Sequence, residues 1–467
     1  MLTRRLLDRA HKRINCIAVV AIAASLGANV SEVTAQGQNA AIERLIGSAV
    51  SDIGPEYRVI GDAIVRFGNR DASGAQMLLE QAKEDHLELP PVGVMMGQLY
   101  RASNNVVAAR ASLEQAVRDN PDDPEAYIHF ADNALQKRRF TDAHLIYQRS
   151  REVCDSYELN PKRKRTLGIR ALLGMAAVSE AREQWDKAEE LLKQVATEDP
   201  DNSAAQTRLA RAVFRQDRKT EAYKLLEIVY KMDSLNNPRA EISMAQLSQQ
   251  AGDTARAKKL IGLARERDAD SLKTQLAAAR WAVQTGDLEL AKDASNAATA
   301  LAGDSSDVSI YLMEGFIART EGEMDKAETA LEQAHLISPG NQAVLNQLSA
   351  LLVGQPEEAK RKRALEYARI NSLIYNDRAQ ASGRNAAAIL AWVTHQLGNT
   401  PEALRQLNAA MSSGGVTDAD ATYYMARIVS DSRPEAARTL LKPILDSRQI
   451  FPSRKEAEAL LKKVGSG

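Results

Sequence analysis

The chain has 467 residues, 44% of them apolar but only 4% aromatic, and its 61 basic side chains are balanced by 61 acidic ones. That length exceeds one ordinary compact domain, yet no shift in composition divides it. The charge balance excludes a net field that would draw the chain to nucleic acid, and two cysteines, Cys16 and Cys154, exclude a disulfide framework or a cysteine-based zinc site.

Residues 1–35 differ from the rest. Arg4, Arg5, Arg9, Lys12 and Arg13 form a basic head, followed by the apolar stretch "INCIAVVAIAASLGA" at 14–28. This stretch is shorter than the ~18 residues of a membrane-spanning helix. Val33 and Ala35 then form a small-residue cleavage site, so the spacing predicts a signal peptide cleaved after Ala35. An uncleaved N-terminal membrane anchor is the alternative, and it would be the chain's one contact with a membrane. Either reading exports the body to a periplasmic or extracellular space, by a route left open. Residues 36–55, opening on "QGQNAAIERLIGSAV", read as an N-terminal cap or linker.

From there a phrase repeats. "EQWDKAEELLKQVATEDPDN" at 183–202 returns as "GEMDKAETALEQAHLISPGN" at 322–341. Aligned on the alanine of "DKAE", the chain shows Ala75, Ala109, Ala143, Ala188, Ala222, Ala257, Ala291, Ala327, Ala364, Ala403 and Ala437, in steps of 34, 34, 45, 34, 35, 34, 36, 37, 39 and 34. Twelve residues earlier stands a second small residue in nine units, among them Ala63, Gly97, Ala131, Ala210 and Gly315. Four residues later stands a large apolar one, such as Leu79, Tyr147, Leu192 or Leu331. Small residues allow two antiparallel helices to cross closely, and larger apolar side chains fill the volume around the crossing.

In these positions the sequence resembles the tetratricopeptide repeat family, built of 34-residue helix-turn-helix units. The resemblance covers roughly residues 56–445 and implies an all-α fold, an α-solenoid of about eleven repeats. The opening Trp of the family pattern is missing, Gly is often replaced by Ala, and fifteen residues instead of twelve separate the small positions of the Ala364 unit. The punctuation agrees with this frame. Most prolines fall between units or at their inner turns, and Pro443 alone falls inside an expected helix, which should kink or end there. Gly252, Gly286 and Gly322 suit a left-handed residue closing the first helix, and Asp253, Asp287 and Glu323 behind them suit caps of the second. In the C-terminal segment 446–467, "FPSRKEAEALLKKV" at 451–464 reads as an amphipathic capping helix, with Leu460, Leu461 and Val464 on one side.

No catalytic constellation emerges. The six histidines form no close metal pair, and no nucleophile elbow, phosphate loop or dinucleotide fingerprint occurs. No cofactor, metal or catalytic residue is therefore expected. Cys154 reads as a small core filler. "SSGGV" at 412–416 reads as a turn, and "NPDDPEA" at 120–126 as a junction whose acids sit at the next helix N-terminus. Of two basic runs, "KRKR" at 360–363 suits a solvated helix face. "PKRKR" at 161–165, in the insertion behind the 45-residue step, is a candidate for an anionic partner or a lipid head group.

The family resemblance implies a concave groove lined by the first helix of each unit, where peptides or partner domains bind. Carried onto this chain, the groove positions hold Gln98 and Arg101, Asp132 and Gln136, Arg211 and Arg215, Gln246 and Gln249, Arg280 and Gln284, Phe316 and Arg319, and Trp392 with His395 and Gln396. Arg211, Arg215, Arg280 and Arg319 are expected to form a positive strip recognising an acidic peptide or C-terminus, with Phe316, Trp392 and His395 adding aromatic contacts. The same positions would also suit a plain rigid spacer. The expectation is thus an exported, non-enzymatic scaffold with a protein partner and no nucleic acid. The alternatives are an accessory subunit of an envelope export or polysaccharide assembly machine, and an enzyme with an unrecognised site.

Overall fold

The computed structural model describes residues 39–303, 307–378, 380–411 and 418–465. The expected signal peptide, the anchor alternative and the "SSGGV" turn lie outside the described residues. Among the described residues all regular structure is helical. The chain divides into two compact units, Met1–Met232 and Asp233–Gly467. Each is a stack of helix-turn-helix hairpins, the architecture of an α-solenoid.

Unit 1 begins with helix α1 (39–46), whose Ile42, Leu45 and Ile46 are buried in one cluster with Tyr57 and Ile60. Five hairpins follow: α2 (Arg58–Gly68) with α3 (Ala72–Asp85), α4 (Val92–Ala102) with α5 (Val106–Asp119), α6 (Glu125–Gln136) with α7 (Phe140–Ser156), α8 (Pro161–Ala181) with α9 (Trp185–Glu198), and α10 (Ser203–Arg215) with α11 (Lys219–Met232). Unit 2 holds α12 (Ala240–Gln250) with α13 (Thr254–Arg267), α14 (Leu272–Thr285) with α15 (Leu288–Ala302), α16 (Val308–Glu321) with α17 (Met324–Ile337), α18 (Gln342–Val353) with α19 (Glu358–Ile374), α20 (Ala381–Gln396) with α21 (Thr400–Met411), and α22 (Ala419–Val429) with α23 (Pro434–Asp446). Helix α24 (Arg454–Gly465) ends the described chain, with Ala457, Leu460 and Val464 buried and Leu461 only half-buried.

All eleven phase alanines are buried, none more than 3% exposed. They lie in the second helix of each hairpin, against a first helix whose own small residue, such as Ala63, Ala131, Ala210 or Ala391, is equally buried. A larger residue at one site demands a smaller one opposite. Tyr147 stands where most units carry Leu, and in α8 it meets Gly174, where a Cβ would collide with the Tyr147 ring. The tyrosine hydroxyl gains a 2.6 Å hydrogen bond to Asp132 in return.

The inner turns share one backbone conformation. Five residues before the phase alanine, nine of the eleven units carry a residue of positive φ. These are Gly252, Gly286, Gly322 and Gly398, but also Arg70, Asn104, Arg138, Glu183 and Asp217, at φ between 56° and 68°. Only the Ala364 and Ala437 units depart. Asp253 and Asp287 cap the second helix as expected, accepting from Arg256 N at 3.0 Å and Leu290 N at 3.2 Å. Glu323 makes no such bond, because its longer side chain leaves the short-range geometry of an N-cap. Helix α23 runs through Pro443 and ends one turn later at Asp446, a slightly late version of the expected stop.

The residue after the phase alanine explains why the repeated phrase ends in a charge. Glu189 accepts from Arg218 and Gln216 of the next hairpin, each at 2.7 Å, and Glu328 accepts from Lys360 at 2.8 Å. With the sign reversed, Lys258 reaches Asp287 and Lys292 reaches Glu321, each at 2.7 Å. Burial pushes the Glu189 carboxyl up, but the bonds from Lys193, Arg218 and Gln216 outweigh it and hold the pKa at about 2.

Two stability measurements check this packing by urea unfolding. Gly174→Ala should cost about 1–3 kcal/mol through overpacking against Tyr147, and Tyr147→Leu in the same chain should recover part of the loss. Glu183→Gly should raise stability by roughly 0.5–1 kcal/mol, because glycine takes the left-handed conformation without a Cβ penalty.

Candidate functional site

The first-helix faces, where partner contacts were expected, differ between the two units. In unit 1 a ladder of polar pairs ties each first helix to the next. Arg101 Nη1 of α4 lies 3.1 Å from His129 Nδ1 of α6, Asp132 of α6 pairs with Arg170 of α8, and Arg208 Nε of α10 lies 3.1 Å from Glu180 of α8. Gln98 donates to Glu125 at 3.4 Å. Gln98, Arg101 and Asp132 therefore hold neighbouring repeats together. Gln136 and Arg215 stay exposed and Arg211 is half-exposed. The Arg215 guanidinium lies 5.4 Å from the centre of the Trp185 ring, a cation–π contact that steadies a solvent-facing charge. Arg211 Nε has no partner among the described residues.

The run at 161–165 is not a loop and not a surface patch. The residues of the 45-residue step lengthen α7 and α8 to 17 and 21 residues, and Asn160 caps α8 through bonds from Lys162 N and Arg163 N. Arg163 is fully buried. It donates to Asp123 at 2.6 and 3.0 Å, to Glu125 at 2.8 Å and to the Tyr157 hydroxyl at 2.6 Å. Lys162 donates to Val50 O, Lys164 to Asp155 O at 2.8 Å and Arg165 to Glu198 O at 2.7 Å. The cations expected to meet an anionic partner or a lipid head group are occupied by their own unit. The acids of "NPDDPEA" do stand at the start of α6, but Asp123 and Glu125 serve as the buried counter-charges of Arg163. In the second basic run, Lys360 and Arg363 bridge to Glu328 and Glu332 of α17 while Lys362 pairs within α19. Cys154 lies 1% exposed in the core, and burial pushes its thiol up to about 12, where it is unreactive.

In unit 2 the part of the first-helix face around Arg319 and Trp392 is closed by the chain itself. Arg319 of α16 is only 8% exposed, with Nη2 3.2 Å from the Tyr424 hydroxyl and 3.5 Å from Asp420. Trp392 is 8% exposed and stacks on Tyr424 with centroids 4.6 Å apart and planes 10° from parallel. Phe316 is half-buried beside Arg319, at a polar pocket of about 190 Å³ that also includes Asn346 and Gln347. His395 bonds Thr400 Oγ1 at 3.0 Å, its ring 5.9 Å from Trp392. The segment after α23 completes the closure. Ser453 N donates to Asp420 at 3.0 Å, and Ile450 N donates to Val283 O of α14 at 2.8 Å. Gly286, at φ 86°, is needed twice over, since a Cβ there would also meet Arg448 O.

Arg319 is thus withdrawn from the expected strip by contacts within its own unit. Arg211 and Arg215 belong to unit 1 and Arg280 and Arg319 to unit 2. Arg280 is exposed, whereas Arg319, Trp392 and His395 spend their polar and aromatic groups on Tyr424, Asp420 and Thr400. Tyr424 and Asp420 were not anticipated, and the tyrosine follows Arg319 by 105 residues. The charge within "DADATYY", 418–424, was its only visible signal.

Sequence profiles of the tetratricopeptide repeat family match residues 94–157 and 180–247, so these two stretches are similar to that family's repeats. No curated protein matches it. Among solved structures, yeast Tom70 aligns at a TM-score of 0.36 and 14% identity, over 88% of this chain and 96% of that one. A tetratricopeptide repeat protein from Parabacteroides merdae aligns at 0.31 and 14%, over 64% and 98%. YrrB, described as a TPR protein with an unusual peptide-binding site, aligns at 0.24 and 14%, over 50% and 95%.

The polar ladder makes unit 1 sensitive to acid at one residue. Burial, with Arg170 and Arg101 nearby and only Asp132 opposing, pushes the His129 pKa from 6.5 down to about 3. The unfolded chain binds a proton that the native state refuses. This contribution to stability is therefore complete above pH 6.5 and is lost as pH falls from there toward 3. Urea unfolding of the wild type at pH 5 and pH 7.5 should show a loss of about 2 kcal/mol that is absent in His129→Gln, which keeps an acceptor for Arg101.

Proposed function

We propose that this chain is an exported, non-catalytic scaffold that holds acidic segments of a partner protein on its first-helix faces, one at Arg211 and Arg215 in unit 1 and another at Arg280 in unit 2. One observation carries this reading. Among the arginines at groove positions, Arg101 and Arg319 are bound to the chain's own groups, while Arg215 and Arg280 remain exposed and Arg211 keeps an unpartnered Nε. A guanidinium fork suits bidentate recognition of carboxylates, and Trp185 offers an adjacent aromatic surface. Protein-interaction scaffolding agrees with the repeat architecture. The basic head and short apolar stretch of residues 1–35 support export and cleavage.

Two experiments test the proposal. The full chain expressed with a C-terminal tag should appear outside the cytoplasm with a new N-terminus at Gln36. An intact N-terminus in the cytoplasmic fraction would refute export. Arg211→Glu, Arg215→Glu and Arg280→Glu, combined in the folded full chain, should abolish recovery of the partner that the wild type crosslinks in its native envelope. Recovery equal to wild type would remove these arginines from the contact surface.

A further inference from the structure

A second feature of unit 1 lies away from α10, at the turn ends of neighbouring hairpins. Between α4/α5 and α6/α7 the buried core is interrupted. Leu99 belongs to a cluster reaching back to α1, and Ile128 to one reaching forward to Ala205. Only the small cluster of Val94, Leu113, Ala116 and Ala126 lies at the seam. Where the hairpins splay, a cleft of about 830 Å³ opens, within the roughly 300–1,000 Å³ range of ligand pockets.

Its chemistry is one-sided. Arg101, Arg110, Lys137 and Arg139 line it, and no carboxylate does. Arg110 and Arg139 pair only with Glu114 and Asp142 on their own turns, between side chains that are all at least 41% exposed. Such pairs are worth at most about 1 kcal/mol and exchange readily for a better partner. Lys137 has no ion pair among the described residues. Beside the cations lie apolar side chains, Val106, Leu113, Phe130 and Ile146. Val106, which lines the cleft, is 58% exposed. His129 lines the same cleft and is 7% exposed. A guanidinium only donates, so His129 Nδ1 must accept from Arg101 and Nε2 must carry the hydrogen. That Nε2 is buried without a partner among the described residues, a donor with an unmet demand for an oxygen.

We propose that this cleft docks a peptide segment of a partner protein in which carboxylates flank one bulky apolar side chain. The carboxylates meet Arg110, Lys137 and Arg139, while Arg101 stays on His129, and the apolar side chain covers Leu113 and Phe130. A chain fits better than a compact anion, because the apolar side chains Val106, Leu113, Phe130 and Ile146 share the cleft with the cations. The site is separate from Arg211 and Arg215 and stands whether or not the reading of those residues does.

The test is fluorescence anisotropy of a fluorescein-labelled heptapeptide, six glutamates around a central phenylalanine, with the folded full chain. Saturable binding that weakens with salt is expected. Arg110→Glu with Lys137→Glu should weaken it about tenfold or more, as should a serine in place of the phenylalanine, while Lys455→Glu on α24, exposed and outside both surfaces, leaves it unchanged. Circular dichroism matching wild type shows that each variant is folded. The proposal is overturned by absence of binding, by equal binding to the double variant, or by an equal loss of binding with Lys455→Glu. It is equally overturned if free glutamate or inorganic phosphate displaces the probe as well as unlabelled peptide does. Self-association of the wild type that the double variant abolishes would assign the cleft to a second copy of this chain and overturn the peptide reading.

Discussion

Each hairpin of the chain depends on two residues without bulk meeting where its helices cross. The phase alanines of the second helices and the small residues of the first are buried because any larger side chain there would hold the helices apart. The surrounding Leu, Ile and Tyr side chains can then close over the crossing, each contributing about 1.5–3 kcal/mol by leaving water. The exchange of Leu for Tyr147 is matched by Gly174 on α8, so bulk gained on one hairpin is offset by bulk lost on the next.

Much of this was legible because it is local. A period of 34, small residues twelve apart and glycines at Gly252, Gly286 and Gly322 are all properties of short windows. So are the exceptions, since the two units that break the turn geometry are the ones whose spacing or length was irregular. The left-handed Arg70, Arg138 and Glu183 escaped notice because no side chain advertises a positive φ. The hairpin imposes the conformation, and the residue bears the strain.

Polar function was less legible. Whether an arginine greets a partner or braces its own unit is decided by residues far away in sequence. Arg163 is buried by Asp123, 40 positions earlier, and Arg319 by Tyr424, 105 positions later. A groove position therefore names where a side chain starts, and only the packed unit shows what it meets. By that measure Arg215 and Arg280 are surface residues, Arg319 and Trp392 belong to the interior, and Arg101 belongs to the brace between repeats.

The bond from Ile450 to Val283 has a consequence for how unit 2 comes into being. A simple array gains stability one neighbour at a time and can begin folding from any point. Here α14 lacks one of its neighbours until residues some 170 positions downstream have been made, so the closure cannot form before then. Once shut, that long loop couples the second hairpin of the unit to the segment after its last one, and the unit should melt as a single block instead of fraying from its end.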